Sequence, residues 1–164
     1  MSVRPGSLAG HSTSDPAGLI PTSSVGAVVQ PAGPELVTGW VSDTYIKDPT
    51  DPAYADDPAV IEYKEVLAEY DSSANPDDGL YLYGMSLAQL FARTIESMDN
   101  ICRDSIMAVA KDMEWDAPPL LIPGIGIETG PGDGFPVQQV QMMQWNGENW
   151  EYLGGVVDAA SAGD

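Results

Sequence analysis

The dipeptide Asn146-Gly147 limits most sharply what this chain can fold into. It stands between two runs rich in apolar residues, Val137–Trp145 and Trp150–Val157. Asparagine and glycine accept the positive φ of a tight hairpin turn at little cost, so the spacing predicts a C-terminal β-hairpin turning over Asn146-Gly147-Glu148-Asn149. Alternation puts Val140, Met142 and Gln144 on one face and Gln141, Met143 and Trp145 on the other, while Trp150, Tyr152 and Val156 line a face of the return strand. Residues 158–164 read as a frayed tail. With 17 glycines and 14 prolines in 164 residues, the remainder must hold many turns and irregular connections.

Upstream, Leu36–Val41 is apolar and β-branched and is predicted as a strand, the one clear candidate for a parallel strand. Residues 1–20 are dominated by Gly, Ser, Pro and Thr and read as a disordered leader. Val25–Val29 is a short apolar run between prolines, either one helical turn or a short strand. Asp51-Pro52 and Asp57-Pro58 bracket a rigid acidic loop, because each proline holds its predecessor extended. Asp57 then caps a helix with Pro58 in its first position, where a missing N–H costs nothing. Val60, Tyr63, Val66, Leu67 and Tyr70 form its apolar stripe, off which lie Glu62, Glu65 and Glu69. A second helix is predicted from about Tyr81 or Gly84 to Met98, with Leu87, Leu90, Phe91, Thr94, Ile95 and Met98 on one broad face. A third runs from Ile101 to Met113 on a stripe of Ile106, Val109, Ala110 and Met113. Residues 114–136 return to loop, although Leu120, Leu121, Ile122, Ile125 and Ile127 require a core to lie against.

The charge decides which partners are open to such a chain. Twenty-five acidic residues against six basic ones give −19, which repels phosphate backbones and anionic membrane surfaces. No nucleic-acid partner and no membrane insertion are expected, since no apolar run reaches ~18 residues. One cysteine, Cys102, and one histidine, His11, leave no disulfide framework and no His-pair metal site within the chain. The start lacks the apolar core of a signal peptide, which taken alone points to the cytoplasm if that start is genuine.

Motifs for catalysis are weak. Gly124 and Gly126 begin a dinucleotide-like pattern, but Thr129 stands where its third glycine belongs. Asp48, Asp51, Asp56 and Asp57 offer carboxylates to calcium without the spacing of a calcium loop, and read as a solvated acidic loop. Glu128 and Asp133 are the least dull carboxylate pair. Cys102 precedes a helix, where a thiolate could be stabilised, and reads as a buried or N-cap-like structural thiol. No enzyme, no metal and no cofactor is expected. The aromatic residues Tyr45, Tyr81, Tyr83, Trp115, Trp145, Trp150 and Tyr152 offer apolar faces with polar rims, against ordinary packing. Tyr81 and Tyr83 precede the small residues Gly84-Met85-Ser86, where free helix N–H groups could meet a ligand carboxylate under an aromatic ring.

The ordered set of segments resembles the C-terminal part of a known family. It begins at Ser23–Gly33 and runs through Tyr45-Ile46-Lys47-Asp48-Pro49-Thr50-Asp51-Pro52, Ala55-Asp56-Asp57-Pro58 and Tyr81-Leu82-Tyr83-Gly84. It ends with Leu121-Ile122-Pro123-Gly124-Ile125, Gln139–Met143 and the turn from Trp145 to Trp150. Over residues 21–157 the chain is similar to the periplasmic leucine/isoleucine/valine-binding proteins, the substrate-binding subunits of branched-chain amino-acid ABC transporters. The resemblance implies an α/β fold, the C-terminal portion of a two-lobed type I periplasmic-binding-protein fold. It implies a non-catalytic binder of a small amino acid or similar solute that partners an ABC transporter permease, in the periplasm or outside the cell. It points to Tyr83 as the residue that covers an apolar ligand side chain, with Tyr45 and Tyr81 as further contacts.

A ligand-sensing or interaction module on the same fold, or a non-functional gene fragment, is the alternative. Truncation leaves the faces at Leu90/Phe91, Ile106/Ala110 and Leu120–Ile127 short of a sheet to cover them. Each exposed Leu or Ile then forgoes roughly 1.5–3 kcal/mol. The expectation is a chain that alone is partly disordered, dimerises, or is a fragment.

Overall fold

The structure, a computed structural model, describes Gly18, Val29 and residues 33–158. The expected leader, Gly18 apart, and residues 159–164 of the expected tail lie outside the described residues, as does His11. Of the run at 25–29 only Val29 is described, and it is buried with Val37 and Trp145.

Strand β1 is Val41–Thr44, short of the run predicted from Leu36. Pro34–Val37 is a 3-10 turn instead, and Gly39, at φ 86, turns the chain through the left-handed region, away from extended strand geometry. The apolar composition there reflects burial of Val37, not pairing. β1 is also not parallel: it pairs antiparallel with β4 (Gln139–Trp145), which pairs antiparallel with β5 (Trp150–Asp158), in the order β1-β4-β5. Asp158, placed in the tail by its sequence, is the last residue of β5 and lies opposite Gln139. Two short strands, β2 (Glu114–Trp115) and β3 (Ile127–Glu128), form a second antiparallel pair. All strand pairing among the described residues is antiparallel, within a mixed α/β architecture.

Between β4 and β5, Asn146 Oδ1 accepts from the N–H groups of Glu148 and Asn149, each at 2.8 Å, and Gly147 takes φ 107. Gln141, Met143 and Trp145 form the buried face of β4. The Trp145 indole donates to Pro34 O at 3.0 Å and meets Trp150 edge to face at 5.3 Å.

Helix α1 is Pro58–Tyr70, with the Asp57 carboxylate accepting from Ala59 and Val60 N–H at 3.0 and 3.2 Å. Val60 and Tyr63 are buried, whereas Tyr70, at the far end of the stripe, is 81% exposed. Helix α2 is Gly79–Glu96. Asp78 caps it by accepting from Leu80 N–H at 2.9 Å, so the helix begins ahead of the predicted Tyr81 or Gly84. Its buried side is Leu82, Ser86 and Thr94, while Leu87 and Phe91 of the predicted apolar face are 47% and 58% exposed. Helix α3 is Arg103–Ala110, shorter than Ile101–Met113. It stops because Thr129 reaches its end: the hydroxyl donates to Ala110 O at 3.0 Å and accepts from Met113 N–H at 2.9 Å. Met113 is thereby turned into the core with Leu121, Ile122, Ile125 and Ile127.

The segment 120–127 corrects the expectation of too little cover. Leu120, Leu121, Ile122, Ile125 and Ile127 are all 5% exposed or less. Leu120 packs on Val60, Tyr63 and Leu82 of α1 and α2, so helices supply the cover that a parallel sheet was expected to supply. Lys47 N–H donates to Leu120 O and Ile122 N–H to Tyr45 O, both at 3.0 Å, tying this segment along residues 45–47. No helix among the described residues is long and apolar enough to cross a membrane.

Candidate functional site

The ties that bury 120–127 also place Tyr45. Its backbone is held by Ile122, and its side chain reaches a cavity of about 330 Å³. Tyr83 enters the same cavity from α2, above a floor that includes Leu90, Leu121, Ile127 and Val140. Asp43 brings a carboxylate from β1, and Leu87 and Phe135 stand at the cavity with 47% and 77% exposure. Burial first, then the neighbouring Tyr83 hydroxyl and the Asp43 charge, raises the Tyr45 phenol above its ordinary value, so Tyr45 is a neutral donor at physiological pH. Ser86 also lines the cavity, but its hydroxyl donates to Tyr83 O at 2.8 Å. The result is an apolar pocket with two phenols and one carboxylate, suited to a small molecule with an aliphatic part and a polar head.

Tyr45 and Tyr83 are thus brought together, and Tyr81 is not among the residues lining their cavity. Tyr81 instead lies near Tyr63, whose phenol is pushed up to about 12, by burial first and then by Asp78, Asp77 and Tyr81. The idea of free N–H groups at Gly84-Met85-Ser86 is corrected. These residues lie inside α2, where N–H groups are bonded to carbonyls one turn back.

A second cavity, of about 370 Å³, lies on the other side of the sheet. Successive strand residues face opposite ways, so Asp43 and Tyr45 line the first cavity, and Thr44 and Ile46 the second. Lys47 borders it, with its ammonium 2.6 Å from Asp57 Oδ2. Burial alone would raise the Asp57 carboxyl. The Lys47 hydrogen bond and the N–H groups of Val60 and Ala59 overcome that and hold it below its ordinary value. A third cavity carries Arg93, whose guanidinium lies 4.7 Å from the centre of the Trp115 ring.

The other sequence candidates are used locally. Asp48 accepts from Thr50 and Asp51 from Ala53, and among the described residues no group of three His, Cys, Asp or Glu could hold a metal ion. Glu128 lines the third cavity, while Asp133 bonds Phe135 N–H and the Gln138 amide. Cys102 stands at the start of α3 and is exposed, which corrects the expectation of a buried thiol; its Sγ lies 3.2 Å from Ser105 Oγ, and that hydrogen bond lowers the thiol pKa. Sequence reading did not find Asp43, Pro118 or Phe135 at the Tyr45–Tyr83 cavity. They come from three separate segments with no shared motif, so no local signal marks them.

No family model and no curated protein matches the sequence. A solved structure does match in shape: the crystal structure of a branched chain amino acid ABC transporter from Thermus thermophilus with bound valine. It aligns with a TM-score of 0.61 and 15% identity, over 81% of this chain and 36% of that one. The chain therefore spans well under half the length of that protein, and over the part covered it has a similar fold.

Proposed function

We propose that the chain is a non-catalytic solute-binding unit of an ABC-type transporter, or a fragment of one, and that it takes a small branched-chain amino acid. The observation that carries this is the apolar cavity between Tyr45 and Tyr83 in a chain with the fold of a transport protein. A volume of about 330 Å³ suits one small aliphatic solute. In this reading Tyr83 covers the ligand's side chain, the Tyr45 hydroxyl turns from Tyr83 to donate to its carboxylate, and Asp43 receives its ammonium. Residues 21–157 act as part of a binding-protein domain, working with a permease in the periplasm or outside the cell, and no cofactor takes part.

Isothermal titration with valine, leucine and isoleucine tests the proposal, with aspartate and lysine as controls. Saturable heat with the aliphatic amino acids, weakened about tenfold in Tyr83→Ala by loss of buried aromatic surface, is the expected result. Equal heats for all five solutes, or a Tyr83→Ala chain that binds as tightly, would overturn it. Exposure of Leu87 and Phe135 at the same cavity favours a second reading, an interaction module that docks a protein there. A mass that rises with concentration, with no response to amino acids, supports that second reading.

A further inference from the structure

Phe135 stands at the Tyr45–Tyr83 cavity with its side chain mostly in water. It is 77% exposed, yet it lines the cavity together with its neighbours Pro136 and Val137. The backbone that carries the ring is tied down on both sides. Asp133 Oδ1 accepts from Phe135 N–H at 3.0 Å, and Asp133 Oδ2 accepts from the Gln138 amide at 2.8 Å. Gly130 and Asp133 exchange two backbone bonds of 3.0 Å across the turn, which Gly132 passes at φ 92. Beyond the ring, Pro136 O accepts from Glu128 N–H at 3.0 Å, which fastens the chain to β3. Phe135 is thereby held at the cavity, and rotation about its side-chain bonds is the motion left to the ring.

The rest of the lining decides what such a ring can meet. Beyond Asp43, the two phenols and Ser86, whose hydroxyl is bonded to Tyr83 O, it consists of aliphatic side chains and proline. An aliphatic group seated there gives the ring an apolar partner, and the pair gains in proportion to the area both withdraw from water. Phe91 is 58% exposed on α2 but is not among the residues lining the cavity, so a solute bound there gives it no partner. Resting on the reading of this cavity as a solute site, we propose that Phe135 is a specificity-determining residue. Its ring turns onto the bound solute and, with Tyr83, forms an aromatic wall around the aliphatic side chain. The class this selects is an amino acid whose apolar side chain is long enough to reach the ring, over one that ends in a methyl group.

The test is an NMR titration of the full chain, isotopically labelled, with leucine and with alanine. The chain has 2 phenylalanines, so Phe91 is an internal reference for Phe135. The expected result is a nuclear Overhauser effect from the leucine methyl groups to the Phe135 ring and none to the Phe91 ring. Because the Phe135 ring is mostly in water, Phe135→Ala leaves the core filled. In that variant leucine should bind about fivefold more weakly and lose its preference over alanine by the same factor, whereas Phe135→Leu restores most of the affinity and Phe91→Ala changes nothing. Saturable shifts at Asp43, Tyr45 and Tyr83 with no contact to the Phe135 ring, or a Phe135→Ala chain that holds leucine as tightly, would overturn the proposal and leave the reading of the cavity standing. Equal weakening of leucine and alanine would also overturn it. Absence of any saturable shift at Asp43, Tyr45 and Tyr83 overturns the reading of the cavity itself, and the proposal with it.

Discussion

Replacing Asp57 by Asn removes a charge and keeps a cap. The native carboxylate does two jobs at once: it accepts from Ala59 and Val60 N–H, and it holds the Lys47 ammonium at 2.6 Å. Asparagine caps helices about as well as aspartate, so the start of α1 survives. What is lost is the counterion of a lysine whose side chain is only 7% exposed. Breaking a fully buried pair from one side costs about 3–5 kcal/mol. Asp57 keeps 21% of its side chain in contact with solvent, which screens part of the interaction and brings the expectation down to about 2–3 kcal/mol. Lys47→Met, which leaves no unpaired buried ammonium, should cost under about 1 kcal/mol, and Asp57→Asn added to it should cost little more.

Urea unfolding of the four proteins at pH 7, read as a shift in midpoint at constant slope, measures the set. An Asp57→Asn cost within about 0.5 kcal/mol of zero, or an equal cost with and without Lys47, would refute the reasoning. The pair also has a pH signature. The folded Asp57 carboxyl titrates below the ordinary value of 3.8, so the folded state binds the proton less readily than the unfolded chain. Its contribution is fully present above that value and is lost as the pH falls through the lower folded value. The stability difference between native chain and Asp57→Asn should thus be flat near neutrality and shrink below pH 3.8.

Two further substitutions probe other links. Leu120→Ala empties a fully buried site between α1 and α2 and should cost about 2–5 kcal/mol in the same urea assay; a cost below about 1 kcal/mol would show that 120–127 is not the cover for those helices. Ser105→Ala removes the hydrogen bond that lowers the Cys102 thiol, so alkylation by iodoacetamide near neutral pH should slow by about two- to fivefold, and an unchanged rate would remove that bond from the account.

What could be read in the sequence was local. Asp57-Pro58 followed by Val60 and Tyr63 marks the start of α1 because cap, proline and stripe lie within a few residues of one another. Asn146-Gly147 marks the turn before β5 for the same reason. The run from Leu36 to Val41 misled because burial and strand pairing select the same residue types. Only the positive φ of Gly39 separates a 3-10 turn from β1 there. α2 begins at Gly79 because Asp78 caps it, a role hidden in a segment rich in other capping residues.

The cover over Leu120–Ile127 was illegible, since it comes from helices far away in sequence and from backbone bonds to residues 45–47. The site shows the same limit. Tyr45 and Tyr83 could be named one by one, but their meeting over Leu121 and Ile127 depends on that long-range tie.

The central claim is that the cavity between Tyr45 and Tyr83 is a working ligand site. An amide-resolved NMR spectrum of the full chain, recorded alone and through a titration with valine, tests it most directly. The account predicts dispersed resonances and a saturable change centred on Asp43, Tyr45, Tyr83 and Leu121. A dispersed spectrum that valine leaves unmoved at millimolar concentration, or shifts that centre away from those residues, would contradict it.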